Sequence, residues 1–200
     1  MIVRELFQFV KRTGLKSIFF HAIEIYLGAF LNLFPGPEGL LLRGWFYRFM
    51  FIKLGKGAII YPNVKIIFSH KISVGKGLVI NRDAYLDGGG EIELGDHVLI
   101  GTNVVIASRG HTYDSVDVPI WHQPFINEKI IIGDDVNIGS NSVIPAGTQI
   151  GQGTVIGAGS VVSGKIPPYS IVIGNPARVI ANRKKMAAFK ARKEKEMSNE

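Results

Sequence analysis

The chain has 200 residues, no cysteine, 46% hydrophobic residues and a formal charge of +7. That length allows one domain with appendages and a sizeable core, and the missing cysteine excludes disulfides, thiolate nucleophiles and Cys-ligated zinc. The charge is uneven: residues 1–56 carry eight Lys/Arg against three Asp/Glu, residues 176–200 again eight against three, and the middle seven against ten. After Lys11, Arg12 and Lys16 comes an apolar run, SIFFHAIEIYLGAFLNLF at 17–34. In it His21, Glu24, Gly28 and Asn32 follow at steps of 3, 4 and 4, one narrow polar stripe on a helix. Glu24 argues against a membrane span, and no small-residue cleavage site follows to suggest a secretory signal.

FPGPEG breaks this helix, and LLLRGWFYRFMFIKLG predicts a second one with Arg43, Arg48 and Lys53 among its aromatics. Residues 1–53 therefore admit two readings. They form a helical pair packed on the rest of the protein or on a neighbouring subunit, or a basic, aromatic hairpin lying in a membrane headgroup layer. In the second reading His21, Glu24 and Asn32 face water, while Phe19, Phe20, Tyr26 and Phe30 face the acyl chains.

From Leu54 onward aliphatic residues recur at every sixth position, a period that fits neither an α-helix nor a simple strand. The triplets are Leu54, Ile60, Ile66; Val74, Ile80, Leu86; Leu94, Ile100, Ile106; Ile132, Ile138, Ile144; and Ile150, Ile156, Val162. A chain coiled as a triangular prism, one short strand and one corner per repeat, produces this period. Gly133, Gly139, Gly151 and Gly157 follow the aliphatic residue and are read as corners that need unusual backbone angles. Compact or β-branched residues (Val136, Ser142, Thr148, Thr154, Ser160) stand four places after it. Two extra residues fall between 66 and 74, two between 86 and 94, and a long insertion covers 107–131. All follow the third strand of a coil, so they stack on one edge of the prism. The expectation is a mainly β protein: a parallel β-helix of about five coils plus a closing partial coil over residues 54–175. An N-terminal helical segment (1–53) and a C-terminal basic helix or tail (176–200) flank it. Without interleaved aromatics or a reading motif, the basic tail predicts no nucleic-acid role.

Five histidines are candidates for proton transfer, a task suited to imidazole. His21 lies on the helix stripe, His70 and His97 sit in corners and read as solvated, and His122 lies beside Trp121 as a lid residue. His111 opens the long insertion within RGHTYD, where the residues alone leave open a general base or a loop histidine capping a turn. Asp87 stacks one coil, roughly 4.8 Å, below Ala107. It is placed to orient the imidazole, to bind an acceptor, or simply to cap the DGGG turn.

The repeat, RGHTYD, and the closing run IPPYSIVIGNPARVI at 166–180 together resemble the hexapeptide-repeat acyltransferases with a left-handed β-helix. Within them the chain is most similar to the galactoside/maltose-type O-acetyltransferases and their relatives in surface-polysaccharide synthesis. The resemblance implies the left hand of the coil, a homotrimer with active sites between prisms, acetyl-CoA as co-substrate, no metal, and a carbohydrate hydroxyl as acceptor. It assigns His111 as the base that takes the hydroxyl proton and Asn103 as a contact to the acceptor sugar, with a corner-turn Asn as the alternative. Ser140, Ala158, Ser163, Lys165 and Arg178 match positions that line acetyl-CoA, with Lys165 and Arg178 meeting phosphates. Two departures stand out. Asn137 replaces a tryptophan common in galactoside-type relatives, and a Thr-Lys pair is spread over Ser163, Gly164 and Lys165. The expected location is the cytoplasm; in the headgroup-layer reading of residues 1–53, those residues attach the protein peripherally to the inner face of the membrane. The alternatives are an N-acetyltransferase of an amino-sugar nucleotide and a non-catalytic structural β-helix. A β-helix carbonic anhydrase would need three zinc-holding histidines, and His97, His111 and His122 lack the close pair of that family.

Overall fold

The structure is a computed structural model that describes residues 15–197. Lys11 and Arg12 lie outside the described residues. Helix α1 spans Leu15–Leu31, α2 spans Pro37–Met50 and α3 spans Arg183–Met197. Between α2 and α3 the chain coils through short strands that stack into three parallel sheets. The first aligns Leu54, Val74, Leu94, Ile132, Ile150 and Ile166. The second aligns Ile60, Ile80, Ile100, Ile138, Ile156 and Val172. The third aligns Ile66, Leu86, Ile106 and Ile144, with Val161 bridging to Val143 above them. These are the expected triplets in the expected register, with Ile166 and Val172 opening a sixth turn. The result is a parallel β-helix whose bore is filled by the aliphatic column, each member fully buried or nearly so except at the first and last turns.

The reason for the glycines differs from the expectation. Gly133, Gly139, Gly151 and Gly157 do not have positive φ; that conformation falls at Asp135, Asn141, Gly153 and Gly159, two residues further on. What the four share is closeness to the next coil. A Cβ on Gly139 would lie 2.5 Å from the amide nitrogen of Ala158, and one on Gly133 2.7 Å from that of Gln152. The compact residues at the following position are fully buried, and their hydroxyls are hydrogen-bonded. Ser160 Oγ donates to the Gly157 carbonyl at 2.6 Å and Thr148 Oγ1 to the Pro145 carbonyl at 2.6 Å. A small polar side chain thus turns the corner without leaving a buried donor unmatched.

Both ends of the solenoid are covered. At the C-terminal end Ala177–Asn182 is not tail, as expected, but a strand antiparallel to Ser170–Gly174 that covers the exposed edge of the second sheet. The basic helix α3 begins only at Arg183, whose guanidinium bonds Asp135 at 2.7 Å. At the N-terminal end Phe46, Tyr47, Met50 and Phe51 continue the core of the bore. Buried Arg43 locks the helical pair in place. Its Nη1 donates to the Leu31 and Phe34 carbonyls at the end of α1, both at 3.0 Å, and its Nε to Ile60 in the second sheet at 2.7 Å.

The polar stripe of α1 faces the prism rather than water, a correction to the headgroup-layer orientation. Glu24 is buried and accepts the N–H groups of Phe68 (3.1 Å) and Ser69 (2.7 Å) and the Ser69 hydroxyl. Asn32 accepts the Asn63 N–H at 2.8 Å. The cause lies in the first insertion. Phe68 has φ of 53° and opens a 3-10 turn over Ser69–Lys71 without a side-chain cap of its own, so its donors are satisfied by a carboxylate from α1. Phe20 also packs inward, 5.0 Å from the ring of His70, which is half-buried rather than solvated.

Two substitutions test this architecture. Gly139→Ala should lower stability by about 1–3 kcal/mol, because backbone of the next coil occupies the space, read as a shift in the urea midpoint. Arg43→Met keeps the volume but strips donors from buried carbonyls at about 1–3 kcal/mol each. Hydrogen exchange should then show α1 and α2 opening before the prism.

Candidate active site

The insertions stack on the edge between the third and first sheets. Gly88 N–H reaches Ile67 O at 2.9 Å, Ser108 N–H reaches Asp87 O at 3.0 Å, and Glu128 N–H reaches Ser108 O at 3.0 Å. Ser108 is fully buried and ties the third insertion to the second: its hydroxyl donates to Asp87 O at 2.7 Å and accepts the Gly90 N–H at 2.9 Å. From this root the long insertion rises as a two-stranded arm, Arg109–His111 antiparallel to Phe125–Asn127. Its tip is laced by buried Gln123, whose amide donates to the carbonyls of Ser115 and Val118, each at 2.8 Å.

His111 is half-buried in the arm, directly across from Phe125, with ring centroids 4.2 Å apart and Trp121 at 5.9 Å. Its Nδ1 lies 3.4 Å from the Gln123 carbonyl. A carbonyl only accepts, so this contact favours the tautomer that carries the proton on Nδ1 and leaves the Nε2 lone pair available. The ring therefore lies beside a backbone carbonyl, packed at a tilt against Phe125 and Trp121, with Nε2 left as the position that could take a proton.

Arg109 was not singled out from the sequence, although it stands two residues before His111 in RGHTYD. Positions i and i+2 of a strand share a face, which was the available signal. Its guanidinium sits between two rings, 4.6 Å from the centroid of Phe68 and 4.7 Å from that of Phe125. Asp87 fixes it at 3.5 Å. Asp87 also caps the DGGG turn by accepting the Gly89 N–H at 2.8 Å. Of the roles considered for Asp87, the turn cap is present, and its charged partner is Arg109 rather than the imidazole. Burial and the nearby Asp87 charge push the Tyr85 phenol pKa up.

Asn103 adopts φ of 56° at the edge between the second and third sheets, and its amide donates to Asn141 one coil on at 2.8 Å. This is the corner-turn geometry, with the side chain exposed. Ser140 and Ala158 stack on that same second edge, one coil apart. Exposed Ser163 and Lys165 instead flank Gly164 on the edge that bears the arm, and exposed Arg178 lies on the strand added to the second sheet. Within one chain the five positions thus fall into separate groups. His122 is exposed in a short 3-10 turn over Ile120–His122. Among the described residues no three His, Asp or Glu side chains converge as metal ligands.

Comparison with known proteins bears on this geometry. Residues 129–164 match the profile of the hexapeptide repeat of succinyl-transferase. A hexapeptide-repeat acetyltransferase from Vibrio cholerae, solved with acetyl coenzyme A, is 30% identical, with a TM-score of 0.71 over 84% of this chain and 90% of its own. A maltose O-acetyltransferase from Clostridium difficile is 29% identical, with a TM-score of 0.73 over 85% and 89%. An N-acyltransferase from Bacillus cereus shares the fold at 21% identity and a TM-score of 0.58 over 78% and 96%. Among curated relatives, an acetyltransferase of Mycobacterium tuberculosis is 38% identical over 58% of this chain and 37% of its own length. WcaF of Escherichia coli, assigned by its name to colanic acid biosynthesis, is 32% identical over 47% of this chain and 52% of its own. The chain thus spans about a third to a half of the curated relatives it matches.

The arm's order should depend on Gln123. Gln123→Ala removes the ties to Ser115 and Val118, and the amide of Ser115 should exchange about 10–100-fold faster, the equivalent of roughly 1.5–3 kcal/mol of local stability. The amides of the prism should be unchanged.

Proposed function

Because the chain belongs to the hexapeptide-repeat acetyltransferase family, we propose that it is an acetyl-CoA-dependent O-acetyltransferase. Its acceptor in this reading is a sugar hydroxyl of a surface polysaccharide, such as a capsule, O-antigen or exopolysaccharide, or of the lipid-linked precursor. The observation that carries the reading is His111, its Nδ1 3.4 Å from the Gln123 carbonyl and its ring packed against Phe125 at the edge where the insertions gather. The Vibrio neighbour with acetyl coenzyme A, the maltose O-acetyltransferase and the colanic acid relative support the donor, the hydroxyl and the polysaccharide respectively.

In this mechanism His111 Nε2 takes the hydroxyl proton as the acceptor oxygen bonds the thioester carbonyl carbon. The tetrahedral intermediate then collapses, the carbon–sulfur bond breaks, and the departing thiolate of coenzyme A takes the proton from the imidazolium. Arg109, sandwiched between Phe68 and Phe125, keeps the strand beneath the imidazole in place. Ser163 and Lys165 share the edge of the arm, whereas Ser140 and Ala158 lie on the next edge. A groove between two prisms is the arrangement that would bring both sets onto one acetyl-CoA, and it supports a homotrimer. Lys165 and Arg178 would then meet phosphates.

His111→Ala should lose about 10²–10⁴-fold in turnover while acetyl-CoA affinity stays near wild type. Retention of half the activity would remove His111 from the base's role. Mass spectrometry of glycans incubated with acetyl-CoA should find the new acetyl group on oxygen. If an amino-sugar nucleotide is acetylated at nitrogen much faster, the acceptor belongs to the N-acetylating branch.

A further inference from the structure

With the polar stripe of α1 turned inward, what α1 and α2 present outward is apolar. Phe19, Tyr26, Phe30 and Leu33 on the first helix and its end, and Leu41, Trp45, Phe49 and Ile52 on and just after the second, are all more than half exposed. Leu41, Trp45 and Phe49 follow at steps of four, one stripe along α2. Large exposed apolar patches on a folded chain mark a surface that docks on something.

The charges around this face indicate the partner. Arg48, Lys53 and Lys56 are exposed, and Arg48 lines the same open groove of about 350 Å³ as Leu41, Trp45 and Leu54. Against these three cations the exposed residues of 18–56 offer one acid, Glu38, because the Glu24 carboxylate is consumed inside by Phe68 and Ser69. In the sequence Arg4, Lys11, Arg12 and Lys16 lead into the same segment, opposed by Glu5. Packed on a second copy of itself, the face would set cation against cation. An anionic bilayer meets both features, taking the aromatic and aliphatic side chains at the acyl boundary and the cations at the headgroups. No helix among the described residues is long and apolar enough to cross a membrane.

We infer that the outer faces of α1 and α2 are a docking surface for an anionic lipid bilayer. The protein lies on the membrane with the N-terminal end of the prism toward it. Helix α2 packs on the first coil, and the root of the arm at Ser108 lies on the third, roughly 10 Å further along the axis at one strand spacing per coil. For the proposed acetyl transfer, which this last consequence alone rests on, a glycan carried on a lipid of the same bilayer would be within reach of His111.

The test is flotation of the full chain with vesicles of equal parts phosphatidylglycerol and phosphatidylcholine. The chain should float with them at low salt, and at least tenfold less with pure phosphatidylcholine or at high salt. A Trp45→Ser/Phe49→Ser variant should bind at least tenfold more weakly with an unchanged circular dichroism spectrum. Arg48→Glu/Lys53→Glu should do the same and covers the case in which the first variant misfolds. Absence of flotation, or flotation indifferent to both variants, overturns the inference. If instead the variants dissociate an oligomer in light scattering and no vesicle binding occurs, the face is an interface between copies and the inference fails. Because flotation needs no turnover, vesicle binding by a protein without acetyl transfer would sink the proposed reaction and leave the docking surface standing.

Discussion

The parallel backbone ladder between consecutive coils is the constraint on which the rest of this structure depends. Gly95 N–H reaches Ile132 O at 2.8 Å and Val105 N–H reaches Ser142 O at 2.9 Å, and similar bonds recur around every turn. A ladder of this kind holds successive coils at one fixed separation and superimposes equivalent residues. Glycine follows from it, since a Cβ on Gly139 would press into the amide of Ala158 in the next coil. The location of the candidate site follows as well. Surplus residues cannot enter a sheet without breaking its register, so they leave the coil at a corner. All three insertions leave at the same corner and lie one above another.

That stack makes the site contiguous with the helices at the N-terminal end. Glu24 of α1 satisfies the turn at Phe68 and Ser69, the Phe68 ring supports one face of Arg109, and Phe125 supports the other. Phe125 is also the ring against which His111 packs, at a centroid distance of 4.2 Å. The aromatic layers are short-range and directional, and a planar guanidinium fills the gap between the two rings where a lysine would leave it open. Asp87 completes the assembly at the level of the backbone, spending one oxygen on the Gly89 N–H and directing the other at Arg109. The histidine is thus carried on a pile of locally satisfied contacts whose lowest member is a carboxylate from another element.

How much of this was legible in the sequence depends on how local each cause is. The triplets from Leu54 to Val162, their register, the shared edge of the insertions and the place of Asp87 below Ala107 could all be read, because one period imposes them. The glycines were placed correctly but for the wrong reason, since a close approach and a positive φ leave the same letter. The stripe of His21, Glu24 and Asn32 was also found correctly, yet its direction was not. Amphipathicity says that two faces differ; it does not say which face meets the protein when the apolar face is the outer one. Arg109 and Phe125 escaped notice because their pairing depends on how the arm folds back, with Arg109 in register with Asn127 and His111 with Phe125, and no repeat fixes the register of an insertion. The strand over Ala177–Asn182 was missed because it runs antiparallel and outside the period.

A solenoid cannot end as it continues, because its last coil leaves a bore and three sheet edges open. The two ends of this chain meet that requirement differently. At the C-terminal end a strand covers one edge and a highly charged helix follows, with Val179, Ile180 and Phe189 left exposed among the charges. At the N-terminal end Phe46, Tyr47, Met50 and Phe51 plug the bore while Arg43 pins α1 and α2 through three carbonyls. Capping accounts for one apolar face on α2 and for the buried polar stripe on α1. It does not account for Leu41, Trp45 and Phe49 on the opposite face, or for Phe19, Tyr26 and Phe30, which contribute nothing to the bore. A cap needs one greasy side; these helices have a second. The outer face is therefore a feature that capping of the prism leaves unexplained, and the docking inferred above would explain it.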